Sequence, residues 1–245
     1  MTALAQDSLF RRWYQGFPSR QLRAAQFAAS KVAYIGSLCM AVNDVAMPVL
    51  GGALLVAQAT TFAGADADGG VVLRAREPGV TVQFAAGISK TLGVTSITYG
   101  ATIDVLIQQG TDGAAATTNT AEQMCNLIRG NAELNKLLAV KATGTGAGLT
   151  ATKAATAIAC ISLKGIPERR IDNSASGAAV DLLPSIVFHQ GVWGMEGSTP
   201  PTLPDDMAFI LDDATVTKTA DPFNFRAPVV AIDGTTIYID LTKAQ

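Results

Sequence analysis

The sequence predicts a mainly β protein of the α+β class: a small β-barrel or sandwich-like domain built from the N- and C-terminal parts of the chain, with an α+β module inserted between them. Three observations lead there. Short runs of alternating apolar and polar residues, bounded by Gly, Pro, Asn and Asp, dominate both ends of the chain, as half-buried strands require. A single amphipathic helix with a clear start signal stands near the centre. The pattern changes near Val71 and again near Gly165, which divides the chain into an N-terminal arm over 1–31, a β domain over 32–70 and 166–245, and an inserted module over 71–165.

In the arm, Arg11, Arg12, Arg20, Arg23 and Lys31 face only Asp7, with Trp13, Tyr14, Phe17 and Phe27 interleaved. Residues 19–30 show helical spacing through Leu22, Ala25 and Phe27. In KVAYIGSLCMAVNDVAMPV, the alternation of Val32, Tyr34, Leu38, Met40 and Val42 predicts strands on either side of Gly36. Asn43-Asp44 supplies a turn, and residues 45–49 begin the return strand. A further strand is expected over 53–59, followed by a Gly/Asp-rich loop.

Within the module, Glu77-Pro78-Gly79 separates two strand-like runs, and ITYGATIDVLIQQG supplies another. Thr120 caps the helix that follows, with Gln123 closing a capping box. Met124, Leu127, Ile128, Leu134, Leu137 and Leu138 form its apolar stripe. Gly130 costs about 1 kcal/mol relative to alanine in a helix interior, so a kink or a break into two helices is expected there. LAVKAT reads as a strand, GTGAG as a hairpin loop and TAIACISL as a buried strand, completing a β-β-α-β-β order. Beyond Gly165, PERRIDNSASGA is polar and turn-rich, LLPSIVFHQGVWGM is apolar with glycine breaks, and GSTPPTLPDDM is a proline loop. The tail is the cleanest stretch, with AFILDD leading to a turn, and Ile232-Asp233-Gly234 joining 229–232 to 236–241 as a hairpin.

A chain of 245 residues buries roughly 70–75% of its unfolded surface and needs no disulfide or metal for stability. The three cysteines, Cys39, Cys125 and Cys160, are odd in number, far apart and set among apolar residues, as small buried hydrophobes of a reducing compartment would be. Charge is sparse and the net charge of −2 argues against nucleic-acid binding by the whole chain. Low charge also fits a protein that works inside an assembly. No apolar run approaches the ~20 residues of a membrane span, and the first residues lack the charge order of a secretory signal, so a soluble product of the cytoplasm is expected.

Candidate chemistry is thin. GTGAG, residues 144–148, matches neither G-x-G-x-x-G nor G-x-x-x-x-G-K, so a phosphate cradle is not expected. His189 is the only histidine, with no cysteine near it in sequence, so a zinc site is not expected; a place in or beside the core with a hydrogen-bond partner is. In FILDDATV, Asp212 and Asp213 are adjacent and would point to opposite faces of a strand, which favours a turn over a carboxylate site; Asp205 and Asp206 stand just upstream. No catalytic, metal or cofactor-binding residue is assigned, and no cofactor is expected. The remaining candidates are interaction residues of the arm, Arg11, Arg12, Trp13, Tyr14, Phe17, Arg20 and Arg23, whose types anchor protein interfaces and make nucleic acid the less favoured partner.

The stretches AFILDDATVTKT and APVVAIDGTTIYIDL resemble the closing segment of tailed-bacteriophage capsid decoration (head-stabilising) proteins, and KVAYIGSLCMAVNDVAMPV resembles their opening. The likeness covers residues 30–70 and 205–241; Ala227-Pro228 stands where the family pattern has a glycine. Gly79-Val80-Thr81-Val82, the Thr-Ala-Glu-Gln helix start and residues 139–149 resemble an α+β module of phage tail sheath and other virion structural proteins. The resemblance implies a non-enzymatic homotrimer bound to the major capsid protein on the outside of the shell, away from membranes. A tail-tube, sheath-related or connector protein is the alternative within virions. A hydrolase or carbohydrate-binding module using the proline loop and Trp193 is the alternative outside them.

Overall fold

Two left-handed residues, Asn43 (φ 47°) and Asp44 (φ 67°), close the first tight hairpin, as asparagine and aspartate can at modest cost. The computed structural model describes residues 20–50, 52–88, 91–112, 116–197, 206–221 and 223–245. The chain opens with β1 (Arg20–Phe27), β2 (Val32–Ala33), β3 (Cys39–Val42) and β4 (Val45–Pro48). Helix α1 (Gly52–Gln58) leads to β5 (Thr60–Phe62), β6 (Val71–Ala75), β7 (Val80–Ala86), β8 (Gly93–Tyr99) and β9 (Ile103–Gln109). Helices α2 (Ala121–Gly130) and α3 (Ala132–Leu137) precede β10 (Leu138–Ala142) and β11 (Lys153–Ala157). Strands β12 (Ile161–Pro167), β13 (Ile171–Asp172), β14 (Val180–Gln190) and β15 (Val192–Gly197) follow. The end comprises β16 (Met207–Ile210), β17 (Thr215–Thr217), β18 (Arg226–Asp233) and β19 (Thr236–Asp240).

The chain forms two compact units, one holding everything up to Leu55 together with Ser162–Gln245, the other Val56–Ile161. The fold is mainly β, with α+β character and barrels, as expected from the alternating patterns. The first unit contains two closed barrels. One has the order β1-β14-β12-β3-β4 and closes through a parallel β1–β4 pairing; the other, β15-β17-β16-β18-β19, closes through β15–β19. Closure leaves neither barrel with an open edge. Only the first barrel draws on both ends of the chain; the second is built entirely from residues after Gly191.

A buried cluster of this unit brings together Ala24, Phe27, Ala33, Cys39, Ala46, Ile171, Leu182 and Phe188. Asn173 is buried against it, and its side-chain amide donates to the carbonyls of Ala28 (2.9 Å) and Ala178 (3.0 Å). That satisfies carbonyls which would otherwise lose water for nothing.

The segment expected to be helical over 19–30 is instead β1. Its partner β14 runs antiparallel from Arg20↔Gln190 to Phe27↔Val180, with an irregularity between Ala24 and Gln26. Thus Arg20–Phe27, placed in the arm on sequence, belongs to the barrel wall; residues 1–19 lie outside the described residues. A second correction concerns 53–59, which falls in α1 rather than a strand. A continuous apolar run has no period to distinguish the two, and Ala, Leu and Gln favour helix.

The second unit places two sheets, β10-β6-β5 and β11-β7-β9-β8, with α2 and α3 around one apolar core. Phe62 and Phe84 meet edge to face at 4.9 Å between ring centres, a preferred aromatic geometry. The expected capping box is present: Gln123 N–H donates to Thr120 Oγ1 at 3.3 Å, and Thr120 N–H donates to Gln123 Oε1 at 3.0 Å. The expected break follows Gly130, where Asn131 ends α2 and caps α3 by accepting from the N–H groups of Glu133 and Leu134, both at 3.0 Å. Thr120→Ala is expected to lower this unit's stability by about 1 kcal/mol, read as an earlier urea midpoint with unchanged slope.

The β-β-α-β-β order undercounts this unit. ITYGATIDVLIQQG is two strands, the β8–β9 hairpin, and TAIACISL splits into the mostly exposed β11 and the start of β12.

Candidate functional site

The FILDDATV corner joins β16 and β17, which pair antiparallel through Phe209↔Thr217 and Ile210↔Val216. Asp212 lies at its apex. Its Oδ1 accepts the N–H groups of Ala214 and Thr215, each at 2.8 Å, and its Oδ2 accepts the Thr215 hydroxyl at 2.7 Å. The carboxylate is therefore committed to its own turn, an arrangement typical of aspartate in tight loops.

Asp213 is buried. Its carbonyl accepts the Leu38 N–H at 2.9 Å, so the corner is tied to the approach to β3. The neighbouring Cys39 thiol has its pKa pushed well up, chiefly by burial and further by the negative charge of Asp213. A thiol so placed stays protonated and unreactive. Asp206 is exposed and Asp205 lies outside the described residues. Asp212→Ala removes three acceptor contacts and is expected to cost about 1–2 kcal/mol, seen as a lower thermal midpoint.

Of the interaction residues expected in the arm, Arg11, Arg12, Trp13, Tyr14 and Phe17 lie outside the described residues. Arg20 and Arg23 are on β1, opposite Gln190 and Val187, and the Arg23 side chain is exposed.

GTGAG is not a hairpin loop, since β10 pairs with β6 and β11 with β7. It is held instead by two aspartates of the Gly/Asp-rich segment. Asp66 Oδ2 accepts the Leu149 N–H at 2.9 Å, and Asp68 Oδ2 accepts the Thr145 hydroxyl at 2.8 Å. Within the loop the Gly146 N–H donates to the Thr143 carbonyl, and the Ala147 N–H to the Thr145 hydroxyl, so these two donors are used by the loop itself.

His189 is half-buried on β14, and its Nδ1 is buried with no hydrogen-bond partner, unlike the paired core histidine expected. Trp193, considered as a carbohydrate platform, is 4% exposed and cannot stack on a sugar from solution. Cys39 and Cys125 are buried and Cys160 half-buried, and none of the three is in a disulfide. Among the described residues, no group of three or more His, Cys, Asp or Glu side chains is arranged to hold a metal, and no helix is long and apolar enough to cross a membrane.

The residue that sequence reasoning missed is Arg74. It is 1% exposed in β6, and its Nη1 donates to the Ile161 carbonyl at 3.3 Å. Burial lowers its pKa from the ordinary guanidinium range to about 9, the like charge of Arg76 adds to this, and Cys160 opposes it. A single arginine in VVLRA carries no signal that separates it from one on an exposed strand face.

Comparison with protein-family models, with curated proteins and with solved structures finds no match for this chain.

Proposed function

We propose that this protein is a structural component of a tailed-bacteriophage virion, a non-enzymatic decoration protein that binds the outer surface of the assembled capsid and stabilises it as a homotrimer. The observation that carries the reading is the meeting of the two segments that bear the family resemblance. They belong to one unit, and the Leu38 N–H of the opening segment donates to the Asp213 carbonyl of the closing one. Segments far apart in sequence that share a likeness to one family would have to meet if that likeness were real.

The conduct of the carboxylates supports it further. Asp66, Asp68 and Asp212 are each occupied in holding loops. Two edge-free barrels suit a body that must stay soluble at the high local concentration of a shell surface. Stabilisation follows from mass action, because a protein that binds the assembled shell and not its free subunits shifts the equilibrium towards assembly.

Co-sedimentation with purified shells tests the proposal. Saturable binding to assembled shells, together with a raised temperature of shell disruption, is the expected result. No co-sedimentation at micromolar protein would overturn it, and a helical polymer or sixfold ring in solution would favour a tail protein instead.

A further inference from the structure

Sheet edges are treated very differently along this chain. The two closed barrels have none. Among the described residues, the remaining open edges are β2 and β13 of two residues each, β5 of three, β10 and β11 of five, and β8 of seven. Lys141 stands in β10 and Lys153 in β11, and a lysine or a very short strand is how proteins keep an edge from recruiting another chain. Strand β8, GVTSITY, has neither defence: it is the longest open edge and carries no charge and no proline. Its one irregularity is a register step at Thr95, which leaves Ser96–Tyr99 regular. Among the described residues its backbone bonds only to β9.

That step sets the faces of β8. Val94 and Ile97 both pack on the apolar core although three positions apart, because the register with β9 shifts between Val94 and Ser96 and leaves Thr95 as an extra residue. Tyr99 follows two positions after Ile97 on the same side, where its hydroxyl donates to Glu133 of α3 at 2.7 Å, yet the residue is 59% exposed. Ser96 and Thr98 face the other way and are exposed. A second β8 laid antiparallel on the outer edge, with a twofold axis at Ile97, sets Ile97 against Ile97 and Ser96 twice against Thr98. With Thr95 skipped, as it is against β9, Val94 twice meets Tyr99. Each pair then shares a face and is of a kind that stabilises antiparallel sheets, β-branched with β-branched or aromatic, and serine with threonine.

Charge selects the antiparallel sense. The carboxylates near the strand gather towards one end: Asp104 is the β9 partner of Thr98, Glu133 holds the Tyr99 hydroxyl, and the negative charge of Glu77 also reaches Tyr99. A parallel pair would stack the two sets together. The twofold pair sets the two Tyr99 positions about 13 Å apart along the strands and the two β9 strands about 14 Å apart across them, beyond the ~8 Å screening length of physiological salt.

We propose that β8 is a self-pairing edge, through which two copies of this chain join antiparallel about a twofold axis at Ile97 and merge their four-stranded sheets. Main-chain bonds supply the affinity, as in other strand additions, and the side-chain match selects the same strand over an arbitrary extended peptide. The contact is isologous and consumes both β8 edges, so it closes at two copies. It goes beyond the proposed virion role and does not rest on it. The homotrimer of that role needs a different face, and on a shell the twofold contact would join neighbouring trimers.

Sedimentation velocity of the purified full chain is the test. The wild type is expected to associate in steps of two at about 100 µM, a concentration suited to a small interface. Ser96→Lys with Thr98→Lys places like charges directly opposite each other twice across the axis, and Ser96→Glu with Thr98→Glu does the same; each should weaken the pairing by about tenfold or more. An equimolar mixture of the two should recover it, because every lysine then meets a glutamate. Both positions are exposed, so the variants should keep thermal midpoints within a few degrees of wild type. Hydrogen exchange of the wild type needs no variant: amides within 94–99 should gain protection as the concentration rises from about 1 to about 100 µM, and those of β11 should not.

A wild type that stays unpaired at that concentration, charged variants that associate as wild type does, a mixture no better than its parents, or exchange in 94–99 that ignores concentration would each overturn the contact. So would an unpaired chain that captures an extended peptide of different sequence on β8, which would make the edge a site for another protein. Shell co-sedimentation is scored separately: a chain that pairs through β8 and ignores shells keeps this contact and loses the virion role.

Discussion

Replacing Gly165 with alanine is expected to open the first barrel, at a cost of about 3 kcal/mol or more. Gly165 lies in β12 at φ 116°, a conformation that L side chains rarely adopt, and a Cβ there would sit 2.2 Å from the His189 carbonyl oxygen of the paired strand. Neither atom can yield, since the Cβ is fixed by the backbone that bears it and the oxygen belongs to backbone of the paired strand. Relief requires β12 and β14 to separate, and β14 is also the partner of β1. Alanine at Gly177, where nothing lies within 4 Å, is the matched control and should move stability by less than about 0.5 kcal/mol. Urea unfolding followed by far-ultraviolet circular dichroism reads the difference, and the Phe62–Phe84 unit should retain its own transition. Equal midpoints for the two variants would show that β12 is free to shift.

That position illustrates where sequence reasoning stops. Local chemistry was legible: Thr120 and Gln123 announce their capping box, Asn43-Asp44 its turn, Asp212 its corner, and Asp233-Gly234 the last hairpin. Each depends on residues within four positions. Gly165 looks like any boundary glycine in ISLKGIP, because its constraint comes from His189 across a strand pairing.

The same cause explains the misread β1. Its inward residues are Ala24 and Phe27, and the irregularity between Ala24 and Gln26 breaks the strict alternation of a strand into a spacing of three that imitates a helix. The β8–β9 hairpin was read as one strand because Gly100, Ala101 and Thr102 lack a strong turn signature. Asp213 and Arg74 were beyond reach for a related reason. Each is bonded to a residue remote in sequence, the Asp213 carbonyl to the Leu38 N–H and the Arg74 guanidinium to the Ile161 carbonyl.

Two substitutions of Arg74 are expected to move stability in different ways. Arg74→Ala deletes a long, fully buried side chain, leaves a cavity among the strands of β10-β6-β5 and strands the Ile161 carbonyl; about 3 kcal/mol of stability should go. Arg74→Met keeps most of the volume and removes a cation that has been taken out of water. Replacing a buried charge with an apolar group of similar size is often neutral or stabilising, so this variant should stay within about 1 kcal/mol of wild type.

The pH dependence separates the charge from the packing. In the folded protein burial lowers the Arg74 pKa to about 9, so between there and the ordinary guanidinium range the unfolded chain binds more protons and stability from this group rises with pH. Below pH 9 both states hold the proton and the full cost of burying the charge is present. The stability of Arg74→Met relative to wild type should therefore be greatest at neutral pH and decline as the pH is raised through 9. If methionine proves as damaging as alanine at pH 7, the guanidinium contacts with Ile161 and Cys160 outweigh the cost of burial, and Arg74 is holding β6 to the chain that enters β12.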